Sequence, residues 1–146
     1  MFLPKKNMKM AERNDTMEKV LEFLQKAKTF YVATVDGDQP HVRPFGAVCA
    51  FEGKLYLITN NQKDVYKQMM ANPKVEISTT IEDKWIRLSA EVAVDDRREA
   101  RKAMLDSMPS LRSMYNEDDG LAVALYLKNV TATFCSFTAE PVTCTF

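Results

Sequence analysis

The chain has 146 residues and a mass of 16.7 kDa, the size of a single domain. A composition that is 46% hydrophobic and 10% aromatic supports a packed core and excludes intrinsic disorder. Twenty basic residues balance twenty acidic ones, which leaves no global electrostatic drive toward nucleic acid or acidic membranes.

Residues 1–14 read as a flexible N-terminal segment. Pro4 interrupts it, and Lys5, Lys6, Lys9, Arg13 and the amino terminus make it basic. It holds no apolar run of the ~7–15 residues that marks a signal peptide, and nothing long enough to span a membrane. A cytoplasmic location is therefore expected. Residues 15–146 read as one domain. Asp15 with Glu18 forms a capping-box pattern, and Met17, Val20, Leu21, Leu24 and Ala27 then recur at helical spacing, which predicts a helix ending near Lys28.

From Thr29 the pattern is β. Phe30 to Val35 predicts a strand, Asp36-Gly37 a turn, His41 to Phe51 a second strand, and Glu52-Gly53 a turn into a third from Lys54 to Thr59. Val65, Tyr66, Met69 and Met70 suggest a short helix that stops at Asn72-Pro73, because the residue before proline is pushed out of the helical region. Lys74 to Ile81 and Trp85 to Val94 read as a hairpin, and Asp96 to Met108 as a helix ended by Pro109. Asp95 or Asp96 would cap it, with Ala100, Ala103, Met104 and Met108 on one face and the Asp95–Glu99 charge run solvated. Leu121 to Leu127 and Val130 to Phe137 complete the set, separated by a Lys128-Asn129 turn. The expected fold is mainly β (α+β by content): a closed or partly closed antiparallel β-barrel of about six to seven strands with two to three short peripheral helices.

The residue inventory narrows the chemistry. The glycines, at positions 37, 46, 53 and 120, are too far apart for a dinucleotide fingerprint or a Walker A loop. One histidine makes a His-rich zinc site improbable, and Cys49, Cys135 and Cys144 show neither an even count nor a C-x-x-C spacing. They read as reduced, with Cys49 a packing residue. Glu117-Asp118-Asp119-Gly120 reads as a loop without the ligand spacing of a metal site. The methionines, Met69-Met70, Met104, Met108 and Met114 among them, read as adaptable core packing.

Two cations stand out. Arg43 sits inside the apolar strand Val42-Arg43-Pro44-Phe45, where Pro44 demands an edge or a bulge. Lys63 follows Thr59-Asn60-Asn61-Gln62 at the entrance of the short helix, a position that favours anions over cations. An anion such as phosphate bound there would make both side chains favourable. The alternative is a solvated Lys63 and an Arg43 paired with an acid across the barrel.

The run FYVATVDGDQPHVRPFGAVCAFEGKLYLITNNQKDVYKQMMANPKVEIS resembles the pyridoxamine 5′-phosphate oxidase-like superfamily of FMN-binding split barrels, in particular its small nitroimidazole-resistance-like (Nim-type) branch. The likeness extends from about residue 17 to 137 and rests on the order of an ATV-D-G strand and turn, an R-P strand, a G-K-L-Y strand, a T-N-x-x-K turn and a helix ending in N-P. It implies a homodimer holding FMN between subunits. Arg43 and Lys63 would take the phosphate, with Thr59, Asn60, Asn61 and Gln62 supplying hydrogen bonds near the phosphate and ribityl chain. Val42, Pro44 and Phe45 would edge the flavin ring, and Trp85 and Arg87 would reach it from the partner subunit. The activity implied is an FMN-dependent oxidoreductase acting on a small organic acceptor with NADH or NADPH as donor. A non-catalytic flavin-binding or storage protein, or a split barrel using haem or a deazaflavin with His41 as candidate ligand, are the alternatives. After Lys128 no basic residue follows, whereas pyridoxamine-phosphate oxidases carry an Arg/His-rich C-terminal segment for their substrate phosphate. Vitamin B6 oxidation is therefore not expected.

Overall fold

The structure is a computed structural model that describes residues 10–146; residues 1–9, which hold most of the expected flexible segment, lie outside them. Helix α1 runs Met10–Ala27 and buries Met17, Val20 and Leu24. It begins before the Asp15/Glu18 pattern, so that pattern is not a capping box. Asp15 sits in the helix interior and pairs with Lys19 at 3.7 Å. Ala11, Glu12 and Arg13 are strong helix formers, so residues 10–14 are helical rather than part of a flexible tail.

The strands are β1 (Phe30–Asp36), β2 (Gln39–Phe45), β3 (Val48–Phe51), β4 (Lys54–Asn60), β5 (Lys74–Ile81), β6 (Lys84–Asp95), β7 (Ala122–Ser136) and β8 (Val142–Thr145). All pairings are antiparallel, in the order β2-β1-β5-β6-β7-β4-β3, with β8 on β7. Helices α2 (Asp64–Ala71) and α3 (Arg98–Ser107) and a short 3-10 helix (Pro109–Ser113) complete the described residues. The sheet curls without closing, and mainly-β split-barrel architecture is what the sequence predicts.

Three differences have physical causes. The expected strand from His41 to Phe51 is two strands: β2 pairs β1 and β3 pairs β4, at opposite ends of the sheet order. Pro44 has no N–H to offer a further strand, which suits β2 to an edge, and the chain leaves that edge and joins the other at Gly46-Ala47. The expected turn at Lys128-Asn129 is absent. Asn129 takes a left-handed φ of 53° and donates to Glu91 at 2.8 Å. The register of β6 against β7 shifts between Ser89 and Glu91, so the chain accommodates a bulge and continues as one long strand. The tail supplies β8, and the backbones of Phe146 and Val130 exchange two hydrogen bonds.

Alternation along β1, β5 and β6 puts Phe30, Val32, Ile77, Ile86 and Leu88 into the core. Strand β4 is buried on both faces: Leu55 and Leu57 face the barrel core, while Tyr56 and Ile58 pack with Ala100, Met104 and Leu105 of α3. That explains the unbroken apolar run Leu55 to Ile58. Helix α2 closes the barrel end through Val65 and Met69. No helix of the described residues is long and apolar enough to cross a membrane.

Candidate functional site

Arg43, Pro44, Phe45, Thr59 and Lys63 meet in the gap between β2 and β3. A cavity of about 350 Å³ is lined there by residues 43–47 from the crossing segment, by Ile58 and Thr59 at the end of β4, by Lys63 and Val65 at the start of α2, and by Met108, Ser110, Leu111, Met114 and Tyr115. Its size lies within the ~300–1,000 Å³ of small-molecule sites.

Arg43 pairs with Val32 across the β1–β2 ladder and shares its inward face. Its Nη1 donates to Thr34 Oγ1 at 2.6 Å and to the Val32 carbonyl at 3.2 Å, and its Nη2 donates to Gln68 Oε1 at 2.6 Å. The guanidinium is thus braced from strand and helix together and does not pair with an acid. Burial lowers its pKa from the usual value and the nearby Asp64 carboxylate opposes this; an arginine so placed remains charged. Thr59 is 3% exposed, and its Oγ1 is the one buried side-chain oxygen or nitrogen of the described residues without a hydrogen-bond partner. Lys63 occupies the N-cap of α2 and gives it no side-chain cap. The first N–H groups of that helix therefore lack a capping oxygen. Exposed Lys63 stands at the cavity rim. A buried orphan hydroxyl, two cations and an uncapped helix start thus lie around one cavity, a donor set of the kind that suits an anion.

The remaining expected site residues are placed differently. Asn60 turns its amide onto Tyr115, and Asn61 donates to the Gly120 carbonyl at 2.8 Å. The backbone N–H of Gln62 donates to Asn60 Oδ1 and the Gln62 amide to Asn61 Oδ1. These three build the turn that sets Lys63; they do not line the cavity. Val42, 67% exposed, points to the outer face of β2. It lines an adjoining open groove together with His41, Asp36 and Lys67, and Arg43 forms the wall between the two spaces. His41 lies 3.3 Å from Asp36 and faces the groove rather than the cavity. Trp85 and Arg87 lie on the outer face of β6, away from the cavity of their own chain. The Trp85 ring packs 5.1 Å from that of Phe137, and Arg87 is engaged by Glu76 at 2.7 Å.

Thr34 and Gln68, which bond Arg43, and Tyr115, which lines the cavity, are residues that the sequence analysis does not single out. For Thr34 a signal exists: it is the polar member of the inward-facing series Phe30, Val32, Thr34. The charge run before α3 is also more than a solvated face. Asp95 is buried, accepts from Tyr56 at 2.7 Å, and is gripped by Arg97 through its backbone and guanidinium. Arg97 also reaches Glu52 at 2.7 Å. The Arg97 hydrogen bonds hold the Asp95 carboxyl well below the usual carboxylate range, and burial with the Asp95 bond pushes the Tyr56 phenol up to about 12. Asp95 therefore anchors the start of α3 without being its N-cap, which is Arg97. On α3, Ala100, Met104 and Leu105 are the buried residues. Met108, 38% exposed, and Met114, 63% exposed, line the cavity, and Met70 is 44% exposed; these three are not core. Cys49 is buried, with its thiol 3.2 Å from Met104 Sδ.

The pyridoxamine 5′-phosphate oxidase family model matches residues 16–130. The chain belongs to that family. Within the family it falls in the Nim-type branch: a NimC/NimA family protein from Clostridium acetobutylicum is 48% identical, with a TM-score of 0.90 over 94% of this chain and 96% of that one. A pyridoxamine 5′-phosphate oxidase-related, FMN-binding protein from Nostoc punctiforme shares 15% identity and a TM-score of 0.58, over 100% of this chain and 99% of that one. A heme-binding protein from Mycobacterium smegmatis shares 14% identity and a TM-score of 0.66, over 95% of this chain and 59% of its own. At such identities the last two show a shared fold. A comparison with the curated proteins found no match.

Proposed function

We propose that this member of the family is a homodimeric FMN-binding oxidoreductase that reduces a small organic acceptor with electrons from NADH or NADPH. The observation that carries the cofactor assignment is the unpartnered Thr59 hydroxyl, buried in a cavity that also holds Arg43 and Lys63. An orphaned buried hydroxyl costs about 1–3 kcal/mol, and a bound phosphate oxygen would offset that cost. In this assignment Lys63, the guanidinium edge of Arg43 and the uncapped N–H groups of α2 bind the phosphate. Thr34 and Gln68 hold Arg43 in place. Pro44 and Phe45 edge the ring, and Leu111 with Met108 and Met114 shields the cavity from water. FMN, when bound, supplies the redox chemistry, and the protein supplies orientation and hydrogen bonds.

The outer sheet face supports the dimer reading. Pro44, Tyr31, Ser78 and Arg87 form one row across β2, β1, β5 and β6, with Tyr31 49% exposed and Val42 beside it. A face on which the exposed apolar Tyr31 and Val42 stand beside polar Ser78 and Arg87 suits a second copy, which would bring the partner's outer face, and with it Trp85 and Arg87, toward the ring. His41 lies outside the cavity, so the geometry favours flavin over haem.

The test is the R43A/K63A double variant. FMN retention should be abolished while the fold persists; undiminished FMN binding would overturn the site. Oxidation of NADH or NADPH in the presence of an acceptor would separate turnover from storage.

A further inference from the structure

We infer that Tyr115 is a ligand-binding residue whose hydroxyl proton is aimed at the molecule in the cavity, with Asn60 setting its direction. The inference rests on the FMN assignment above and adds a residue to it. Its starting point is a donor that has no choice of role. The backbone N–H of Gln62 donates to Asn60 Oδ1 at 3.0 Å, so that atom is the amide oxygen and the other is the NH₂ group. Asn60 Nδ2 therefore donates to the Tyr115 hydroxyl at 2.8 Å, and Tyr115 is the acceptor in that bond. Its own hydrogen is left for another partner. No acceptor among the described residues takes it, and Tyr115, half-buried, lines the cavity beside Thr59.

The phenol is held there by its own segment. The Tyr115 backbone N–H donates to the Leu111 carbonyl at 2.9 Å, an α-type turn that closes the end of the 3-10 helix. Just beyond, Asp119 accepts from the N–H groups of Asn116, Leu121 and Ala122, and Asn61 ties the same turn back to the end of β4. Two hydroxyl-bearing residues thus line one space. Thr59 has no partner, and Tyr115 is fixed as a donor. The matching ligand presents hydrogen-bond acceptors, the phosphoryl, hydroxyl and carbonyl oxygens of a flavin nucleotide among them.

The test is a double-mutant cycle on FMN binding, read as Kd from quenching of flavin fluorescence on the purified protein. Y115F keeps the ring, removes the donor and also removes the acceptor of the Asn60 amide; it should raise Kd about tenfold, the worth of one lost hydrogen bond, with a modestly lower melting temperature of the FMN-free protein. N60D replaces the NH₂ donor by a carboxylate that accepts the phenol proton and draws it out of the cavity. In the N60D background Y115F should therefore cost nothing further. Y115F binding FMN as tightly as the parent, or costing the same factor in both backgrounds, would overturn the role of Tyr115. Failure of the parent protein to bind FMN would overturn the FMN assignment and this inference with it.

Discussion

Arg43 and Gln68 are joined by a 2.6 Å hydrogen bond from guanidinium to amide oxygen, which ties edge strand β2 to helix α2 across the mouth of the barrel. Thr34 donates to the same oxygen at 2.6 Å. The candidate phosphate-binding arginine is thus held by two elements far apart in sequence. Q68A should cost about 1–2 kcal/mol of stability and weaken FMN binding by freeing the guanidinium. Urea denaturation and FMN titration check both effects. A variant of parental stability and affinity would show that the brace is idle.

Thr59 gives a prediction of opposite signs. T59V keeps the shape and removes a buried hydroxyl that has no partner. The FMN-free protein should become about 1 kcal/mol more stable, while FMN affinity falls about tenfold. Loss of stability with unchanged affinity would mean that the hydroxyl serves the fold and not a ligand.

Much of the fold was legible because hairpin turns are local. Asp36-Gly37 and Glu52-Gly53 announce reversals, and Gly37 and Gly53 adopt the left-handed φ those turns need. Asn72-Pro73 marks the end of α2 where the structure ends it. What the residue pattern alone did not show depends on distant partners. Nothing in Val42 to Phe51 reveals that its two halves pair with opposite edges of the sheet. Asn129 looks like a turn residue, yet β6 is long enough to pair on both sides of it. In the site, Arg43 and Lys63 stand out as cations in unfavourable surroundings, which is a local signal. Gln68 and Tyr115 are ordinary residues of a helix and a loop, and only the folded chain shows what they touch.

The Asp95 network predicts the pH limbs of stability. Asp95 ionises at a lower pH in the fold than in the unfolded chain, where 3.8 is ordinary. Its stabilisation is complete above pH ~4 and is lost as pH falls toward the folded value, because the unfolded chain takes the proton first. Tyr56 shifts the other way, from 10.0 to about 12, so stability should also fall as pH rises across that interval. Denaturation of D95N should show a flatter acid limb and Y56F a flatter alkaline one; unchanged limbs would mean that other groups govern them.

Tyr31 tests the proposed dimer. On the outer face of β1, Y31E would bury an unpaired carboxylate between subunits, at a cost of ~3 kcal/mol or more. Sedimentation should show self-association weakened ~100-fold and FMN lost with it. A monomeric parent that holds FMN tightly, or a Y31E dimer that is unimpaired, would remove this surface from the account.

The most direct test is the visible spectrum of the protein purified without added cofactor, followed by FMN titration and mass analysis of whatever heat releases. The account predicts flavin absorbance and a released molecule with the mass of FMN, or stoichiometric uptake when FMN is supplied. A colourless protein that refuses added FMN would contradict it, and leave a split barrel whose cavity serves some other ligand.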